Sequence, residues 1–514
     1  MITTNTLPET LYSAGQVREI DRMAIEEHGF DGFDLMSKAA KFSFHILVKH
    51  AKEFNHIQVL CGSGNNAGDG YLLAAIASKR NISVEVFYLS EPYKLKGDAQ
   101  KAYQHCITEG VPVHTYFHGA LTHSTPNECV IVDALLGTGL NTEVKDLYRE
   151  AINEINESSS PTLAIDIPSG LSADTGQALG TAVKASWTAS FIALKLGLFT
   201  ASGPVHAGEI FFDRLDIPIE IIEQQTAIAT CLQLKTLLNA IPDRTKDSHK
   251  GQNGHTLIIG GDHGYGGAAL MAAEATVRMG AGTVTLISHQ EHCTASLTRC
   301  PEVMFKAINS AQQLKDLLPT ADVIVIGPGL GQSAWSQSML LTVLQHSGEK
   351  QTPTIFDADA LNLLSQHADW IPKNQATGDH YIFTPHPGEA GRLLKQTTVE
   401  IQKNRFESIK QLQKEWQGHF LLKGSGSLLC HPDNTIQLCT YGNPGMASGG
   451  MGDVLSGIIG GLVSQGFNLK LSLALAVCLH AKAADLAAEK NGQRGLLASD
   501  LIAYARALLN RKLL

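Results

Sequence analysis

Apolar positions recur along this chain in two alternating rhythms. Val17, Ile20 and Ala24 fall on one face of a helix that Ser13 can cap. After them, short apolar runs alternate with helical patterns. Ile57 to Cys61 reads as a buried strand, and Leu72, Leu73 and Ile76 mark the helix that follows. Val84 to Leu89, Val130 to Val132 and Leu163 to Ile165 read as further strands. Strand, loop, helix, strand at this spacing predicts an α/β fold, a parallel sheet with helices on both faces.

The rhythm breaks after Asp216 to Ile222, and the polar, turn-rich stretch IPDRTKDSHKGQNGH follows. This places a domain boundary near residue 225, giving domains 1–224 and 225–514, with the polar stretch at the start of the second. The alternation then restarts. Thr256 to Ile259 is a strand, Ala268 to Met279 a helix and Val284 to Ile287 a strand. Val323 to Ile326, Thr354 to Phe356, Tyr381 to Phe383 and Phe420 to Leu422 are later strands. Alanine-rich helices near 450–464 and 471–489 close the chain. The halves read as different α/β domains, not as copies.

Composition narrows the function classes. The chain has 514 residues, enough for two to four domains, with 48 glycines that imply many tight turns and close backbone approaches. A net charge of -9 speaks against nucleic acid as the main partner. The N-terminal MITTNTLPETLYS is polar and does not read as a signal peptide. No continuous apolar run reaches the ~18 residues of a membrane span. Cys61, Cys106, Cys129, Cys231, Cys293, Cys300, Cys430, Cys439 and Cys478 are scattered without a C-x-x-C pair, which fits free thiols in a cytoplasm and argues against structural zinc.

Three loops in the first half sit where chemistry is expected. Gly62-Ser-Gly-Asn-Asn-Ala-Gly-Asp-Gly70 follows a strand and opens a helix. Its glycines admit a phosphate to backbone N–H groups, and the helix start adds partial positive charge. It is neither G-x-G-x-x-G nor a P-loop, and a tight turn capped by asparagine fits the same residues. Asp133 to Leu140 and Asp166 to Gly170 lie at the carboxyl ends of strands, where ligands bind in open α/β sheets. Each aspartate alone could cap the next helix; together the three loops point to one site. Asn66, Asp133 and Ser169 offer oxygen alone, a set suited to a hard cation and not to zinc.

The sharpest motif of the second half is Gly442-Asn-Pro-Gly-Met-Ala-Ser-Gly-Gly-Met-Gly-Asp-Val-Leu455. Gly449, Gly450 and Gly452 can present N–H groups to a transferring phosphoryl group, and Asp453 at the helix start can take a proton from a hydroxyl. Lys423-Gly-Ser-Gly-Ser427 could hold a nucleotide phosphate or be a solvated turn. His386, between two prolines, reads first as structural. Gly260 to Gly267 resembles a flexible lid or phosphate loop, and Gly327 to Gly331 reads as backbone approach to a ligand. Asp357 and Asp359 either bind metal or water or cap the following helix.

The motifs carry a family resemblance that covers roughly residues 11–510. LYSAGQVREIDRMAIEE, GSGNNAGDG, VDALLGTGL, AIDIPSGL and ALKLGLFTASGPVHAGEI resemble the epimerase domain of NAD(P)H-hydrate repair enzymes. DSHKGQNGHTLIIGG, RMGAGTVTL, VIVIGPGLG, FDADALN, TPHPGE, LLKGSGS and GNPGMASGGMGDVLSGIIGGL resemble the dehydratase of that system, a member of the ribokinase-like superfamily. The resemblance implies an N-terminal Rossmann-like α/β/α sandwich plus a C-terminal ribokinase-like α/β domain. It implies a cytoplasmic homo-oligomer that acts on NADHX and NADPHX without nucleic acid or membrane. In the first domain, Asn65, Asn66, Ala67, Gly68 and Asp69 with Gly137, Thr138, Gly139, Leu140, Asn141, Thr142 and Glu143 would hold the hydrated dinucleotide. Asp166 would act on its nicotinamide end, and Asn66, Asp133 and Ser169 would coordinate potassium. In the second domain, Ala268, Gly329, His386 and Asp453 would line the hydrate pocket, with Asp453 the catalytic base. Lys423, Gly424, Ser425, Gly426, Ser427 and Gly452 would hold ADP, with magnesium beside it. The resemblance, not the motifs, selects ADP over ATP. Two residues depart from the family pattern: Ala67 stands where glycine is frequent, and Met451 where threonine is usual. The rival expectation is a small-molecule kinase fused to a non-catalytic binding or interaction module.

Overall fold

The computed structural model describes residues 7–51, 54–121, 128–371 and 378–513. The chain divides into two compact units, Met1–Thr230 and Cys231–Leu514. The division falls later than the break expected at 224/225 because Thr10 and Leu11 pair antiparallel with Thr230 and Ala229. The end of the first unit is thereby tied to its beginning.

The first unit is built on parallel strands in the order Val113–Thr115, Ser83–Tyr88, His56–Cys61, Cys129–Ala134, Thr162–Ile165, Trp187–Phe191 and Glu209–Asp213. Every residue of Cys129–Ala134 is buried, as expected where helices cover both faces of a parallel sheet. The helix Ala14–Glu26 begins as its sequence predicts: Ser13 caps it, and Gln16 returns a side-chain bond to the Ser13 N–H. The strand order turns outward in one direction from His56–Cys61 and in the other from Cys129–Ala134. The gap between the loops leaving these two strands is the topological switch point, where such sheets bind ligands.

The second unit has a longer sheet, in the order Met304–Ala307, Thr283–Ser288, His255–Ile259, Val323–Ile326, Thr354–Phe356, Tyr381–Phe383, His419–Leu422, Ser427–Cys430 and Ile436–Cys439. The last two strands run antiparallel to their neighbours. Leu422 pairs with Leu428, so the segment 423–427 is the turn of a β-hairpin, a geometry that the sequence did not disclose. Two helices cross closely on one face, Gly266–Arg278 and Met451–Val463. A Cβ on Gly457 would stand 2.2 Å from the Ala272 carbonyl oxygen, so only glycine permits this crossing. Thr276 Oγ1 secures it by donating to the Gly457 carbonyl at 3.0 Å. The helix Leu469–Asn491 is long and apolar enough to cross a membrane by length and composition, yet 72% of its apolar window is buried inside the fold. Among the described residues no disulfide joins the cysteines, and Cys293 is the one with partial exposure.

Candidate functional sites

In the first unit a cleft of about 510 Å³ opens at the switch point. Its two walls touch backbone to backbone: a Cβ on Gly62 would lie 1.9 Å from the Leu135 carbonyl oxygen. Asn65, Asn66, Asp69, Gly137, Thr138, Gly139, Leu140 and Asp166 line the cleft. Ala67 and Gly68 lie buried in the helix start, Gly68 against the Met36 thioether. Asn141, Thr142 and Glu143 continue the loop as exposed residues outside the cleft lining.

Asp133 and Ser169 come together. The Ser169 hydroxyl donates to Asp133 Oδ1 at 2.5 Å, and the Ser169 N–H to Oδ2 at 2.8 Å. Burial pushes the Asp133 carboxyl up to about 6, against the pull of these donors. Asn66 has both side-chain polar atoms buried without a partner. A bare amide oxygen of this kind costs a few kcal/mol unless something satisfies it, and a cation would.

Asp166 adopts a left-handed backbone, φ 65°, a conformation that costs a non-glycine residue about 1 kcal/mol or more. Its surroundings hold it there. Its N–H donates to the Ala189 carbonyl at 2.7 Å, and its Oδ1 accepts from the Phe191 N–H at 3.2 Å and from the Lys195 ammonium. Lys195 is fully buried and also donates to Phe191 O at 2.9 Å and Ser190 Oγ at 3.2 Å. Lys195 and Asp21, both facing the cleft, were missed in the sequence. For Lys195 a signal existed: one ammonium inside the apolar run Phe191 to Leu198 must find a carboxylate.

In the second unit the helix Met451–Val463 starts at Gly450, whose φ of 88° suits glycine. Asp453 lies in its first turn. Burial first, then the neighbouring Asp357, raise its carboxyl to about 7, with Lys423 opposing and Asp359 and Glu389 adding to the rise. Asp357 is buried and held ionised by three donors: Ser456 Oγ at 2.5 Å, Thr384 Oγ1 at 2.7 Å and Lys423 Nζ at 2.9 Å. Burial opposes the charge of Lys423, but Asp357 and Glu389 outweigh it and lift its pKa above the ordinary value. A Cβ on Gly452 would stand 3.3 Å from that ammonium, so the helix start and Lys423 share one corner. The lysine read as a phosphate grip is thus already engaged by Asp357. Asp359, read beside it as a metal or water ligand or a cap, accepts the Gly331 N–H at 2.9 Å and so fixes the neighbouring loop.

His386 caps the helix Pro387–Leu394, its Nδ1 accepting from the N–H groups of Gly388 at 3.0 Å and Glu389 at 3.3 Å. Burial, helped by Lys423, lowers its pKa to about 4, so it is a neutral acceptor at neutral pH. A Cβ on Gly329 would come within 3.1 Å of the Ala268 Cβ, which places these two predicted residues side by side. Beneath the turn 423–427 lies Arg405, fully buried, donating to the carbonyls of Leu422 and Gly426 at 3.2 Å each. It shapes the segment that contains Gly424, Ser425, Gly426 and Ser427, and nothing in the sequence marked it. The Asp262, His263 and His289 ligand atoms gather within 4.8 Å. The two imidazoles, however, stack at 4.1 Å and 14°, so their lone pairs run parallel and do not converge on an ion.

Residues 256–506 match the family model described as NAD(P)H-hydrate dehydratase, and residues 32–197 match that described as YjeF-related protein N-terminus. The chain is 43% identical to a protein of Coxiella burnetii named bifunctional NAD(P)H-hydrate repair enzyme Nnr, over 97% of this chain and 99% of that one. An Escherichia coli protein of the same name is 38% identical over 98% of this chain and 95% of that one. Among solved structures, a ribokinase-like superfamily protein of Enterococcus faecalis superposes with a TM-score of 0.50 at 32% identity, over 55% of this chain and 94% of that one.

Proposed function

This chain belongs to the bifunctional NAD(P)H-hydrate repair enzymes, and from that premise we propose how its residues divide the work. The second unit dehydrates the hydrate at the expense of ADP, and the first interconverts the two epimers so that all of the hydrate is used. The observation that carries this reading is Asp453, a half-buried carboxyl of pKa about 7 in the first turn of a helix that opens behind bare glycines.

The Asp453 carboxylate takes the proton of the hydrate's hydroxyl as that oxygen attacks the terminal phosphorus of ADP, and AMP departs. The N–H groups at Gly449, Gly450 and Gly452 stabilise the phosphoryl oxygens. Phosphate leaves far more readily than hydroxide, so the ring then expels it, loses a proton from the adjacent carbon and becomes NADH or NADPH. The turn 423–427 and Gly452 hold the nucleotide, whose diphosphate brings magnesium with it. Lys423 acts chiefly by fixing Asp357, and the charge of Asp357 in turn helps keep Asp453 basic enough to work. Adding ADP to a hydrate mixture should restore the near-ultraviolet absorbance of reduced cofactor and release AMP and phosphate together. A stable phosphorylated product would mark a small-molecule kinase instead.

In the first unit, Asp166 does the proton transfer, with Lys195 holding its carboxylate in place. Asp166→Asn should lower epimerisation by about a hundredfold or more, read by NMR of the epimer mixture, and leave ADP-driven dehydration of the usable epimer unchanged. Asn66, Asp133 and Ser169 form an oxygen-only set whose orphaned amide fits potassium. Bound there, potassium would fix the two loop walls against each other. Exchanging it for lithium should slow epimerisation; equal rates in both salts would remove this role.

A further inference from the structure

The chemistry of epimerisation asks for two groups, and Asp166 is one. A reduced nicotinamide ring is an enamine, and hydration of an enamine puts the hydroxyl on the carbon beside nitrogen. The ring nitrogen's lone pair can therefore expel that hydroxyl. The C–O bond breaks, an iminium forms, and water adding to the opposite face makes the new C–O bond. One proton is given to the departing oxygen and one is taken from the arriving water, so the exchange balances. Hydroxide leaves poorly, so a neutral acid is needed on one face while a base serves the other.

The cleft contains both kinds of carboxyl. Asp166 has a buried ammonium and a backbone N–H directed at its carboxylate. Asp69, on the helix Asn65–Lys79, faces the same cleft and is only 9% exposed. Among the described residues no donor or cation engages its carboxyl. Burial, and then the charges of Asp166 and Asp21, push its pKa well above the ordinary range. The start of its helix pulls the other way, but that effect is worth about 0.3–1 kcal/mol and fades within a turn. The other charged groups facing the cleft are Arg18 and Asp21 from the first helix, Asp98 from the helix Gly97–Thr108, and Lys195. Arg18 is turned to the Thr138 carbonyl, 3.0 Å away. Of the four carboxyls facing the cleft, Asp166 is paired with an ammonium and Asp69 is bare and the more deeply buried, environments that separate a base from an acid.

We propose that Asp69 is the acid of the epimerisation, giving its proton to the departing hydroxyl while the Asp166–Lys195 pair takes one from the arriving water. The proposal rests on the assignment of this cleft to epimerisation. The test measures epimer exchange by NMR, without ADP, on the full chain and on Asp69→Asn, Asp69→Glu, Asp21→Asn and Asp166→Asn across pH. Asp69→Asn keeps the shape of the side chain but cannot give up a proton. It should slow exchange by about a hundredfold or more. The wild-type rate should fall as pH rises through the Asp69 pKa, and this fall should be absent from the residual rate of Asp69→Asn. Asp69→Glu should retain the fall with part of the rate, which also covers the case in which Asp69→Asn does not fold. Wild-type exchange in Asp69→Asn, or loss of the high-pH fall in Asp21→Asn instead, overturns the proposal. Should Asp166→Asn be inactive while Asp69→Asn is fully active, the epimerase assignment stands and only the acid is wrong. Should both exchange at the wild-type rate, the assignment itself falls.

Discussion

Replacing Asp453 by asparagine is expected to cut ADP-driven dehydration by about a hundred- to ten-thousandfold, the range for loss of a positioned base. ADP binding, measured by calorimetry, should be unchanged, because the nucleotide is assigned to the turn 423–427 and to backbone N–H groups. The pH profile supplies an independent check. A base works only when ionised, and burial with Asp357 beside it holds Asp453 at about 7. The wild-type rate should therefore rise with pH through about 7. His386, at about 4, stays neutral across this window and should not contribute. Stability should move the opposite way. A carboxyl whose folded pKa exceeds its unfolded value favours the fold while protonated and loses that advantage as pH rises from about 4 toward 7. Above that range Asp453→Asn should be more stable than wild type, by at most about 4 kcal/mol at ~1.4 kcal/mol per pKa unit. A variant that is both inactive and more stable would mark Asp453 as retained for chemistry. Retained turnover would remove its assigned role.

Lys423→Met is expected to destabilise the second unit by about 3–5 kcal/mol, the cost of breaking a buried ion pair from one side. Its partner Asp357 has a side chain 2% exposed and would be left with two hydroxyl donors in place of a charge. Chemical denaturation of the full chain, followed through the transition of this unit, measures the loss. Adding Asp357→Asn should recover part of it, so the double variant loses less than the two single variants together. The pair also sets a pH window. Asp357 lies below its ordinary pKa, so its share of stability is lost as pH falls through that depressed value. Lys423 lies above its own, so its share is lost as pH rises through the raised value. Simple additivity of the two substitutions would mean that the contact is incidental.

What the chain disclosed in advance follows from which contacts are local. Buried parallel strands are short apolar runs with loops at their carboxyl ends, so the positions of Asn66, Asp133 and Asp166 could be read from one dimension, and Asp453 from the run of glycines before it. Ser13 and Gln16 form a cap because they are three residues apart, a spacing visible in the sequence. The partners of charges were not visible. Lys195 meets Asp166 across 29 positions, and Lys423 meets Asp357 across 66. Lys423 therefore looked free of partners when its ammonium also meets a buried carboxylate. Asp21 and Arg405 carry no motif, because one looks like the polar face of a surface helix and the other like any arginine opening a helix. The hairpin turn was missed for a related reason: Ser427 to Cys430 is as apolar as a parallel strand, and only pairing reveals its direction.

The close crossing at Gly457 makes one stiff frame of the helix that bears Asp453 and the helix that bears Ala268. A crossing that tight leaves the two helices little room to slide, so the spacing of Asp453 and Ala268 is set when the chain folds. On the assignment proposed above, discrimination between the two epimeric hydroxyls is then steric, and any adjustment to the guest is left to the surrounding loops.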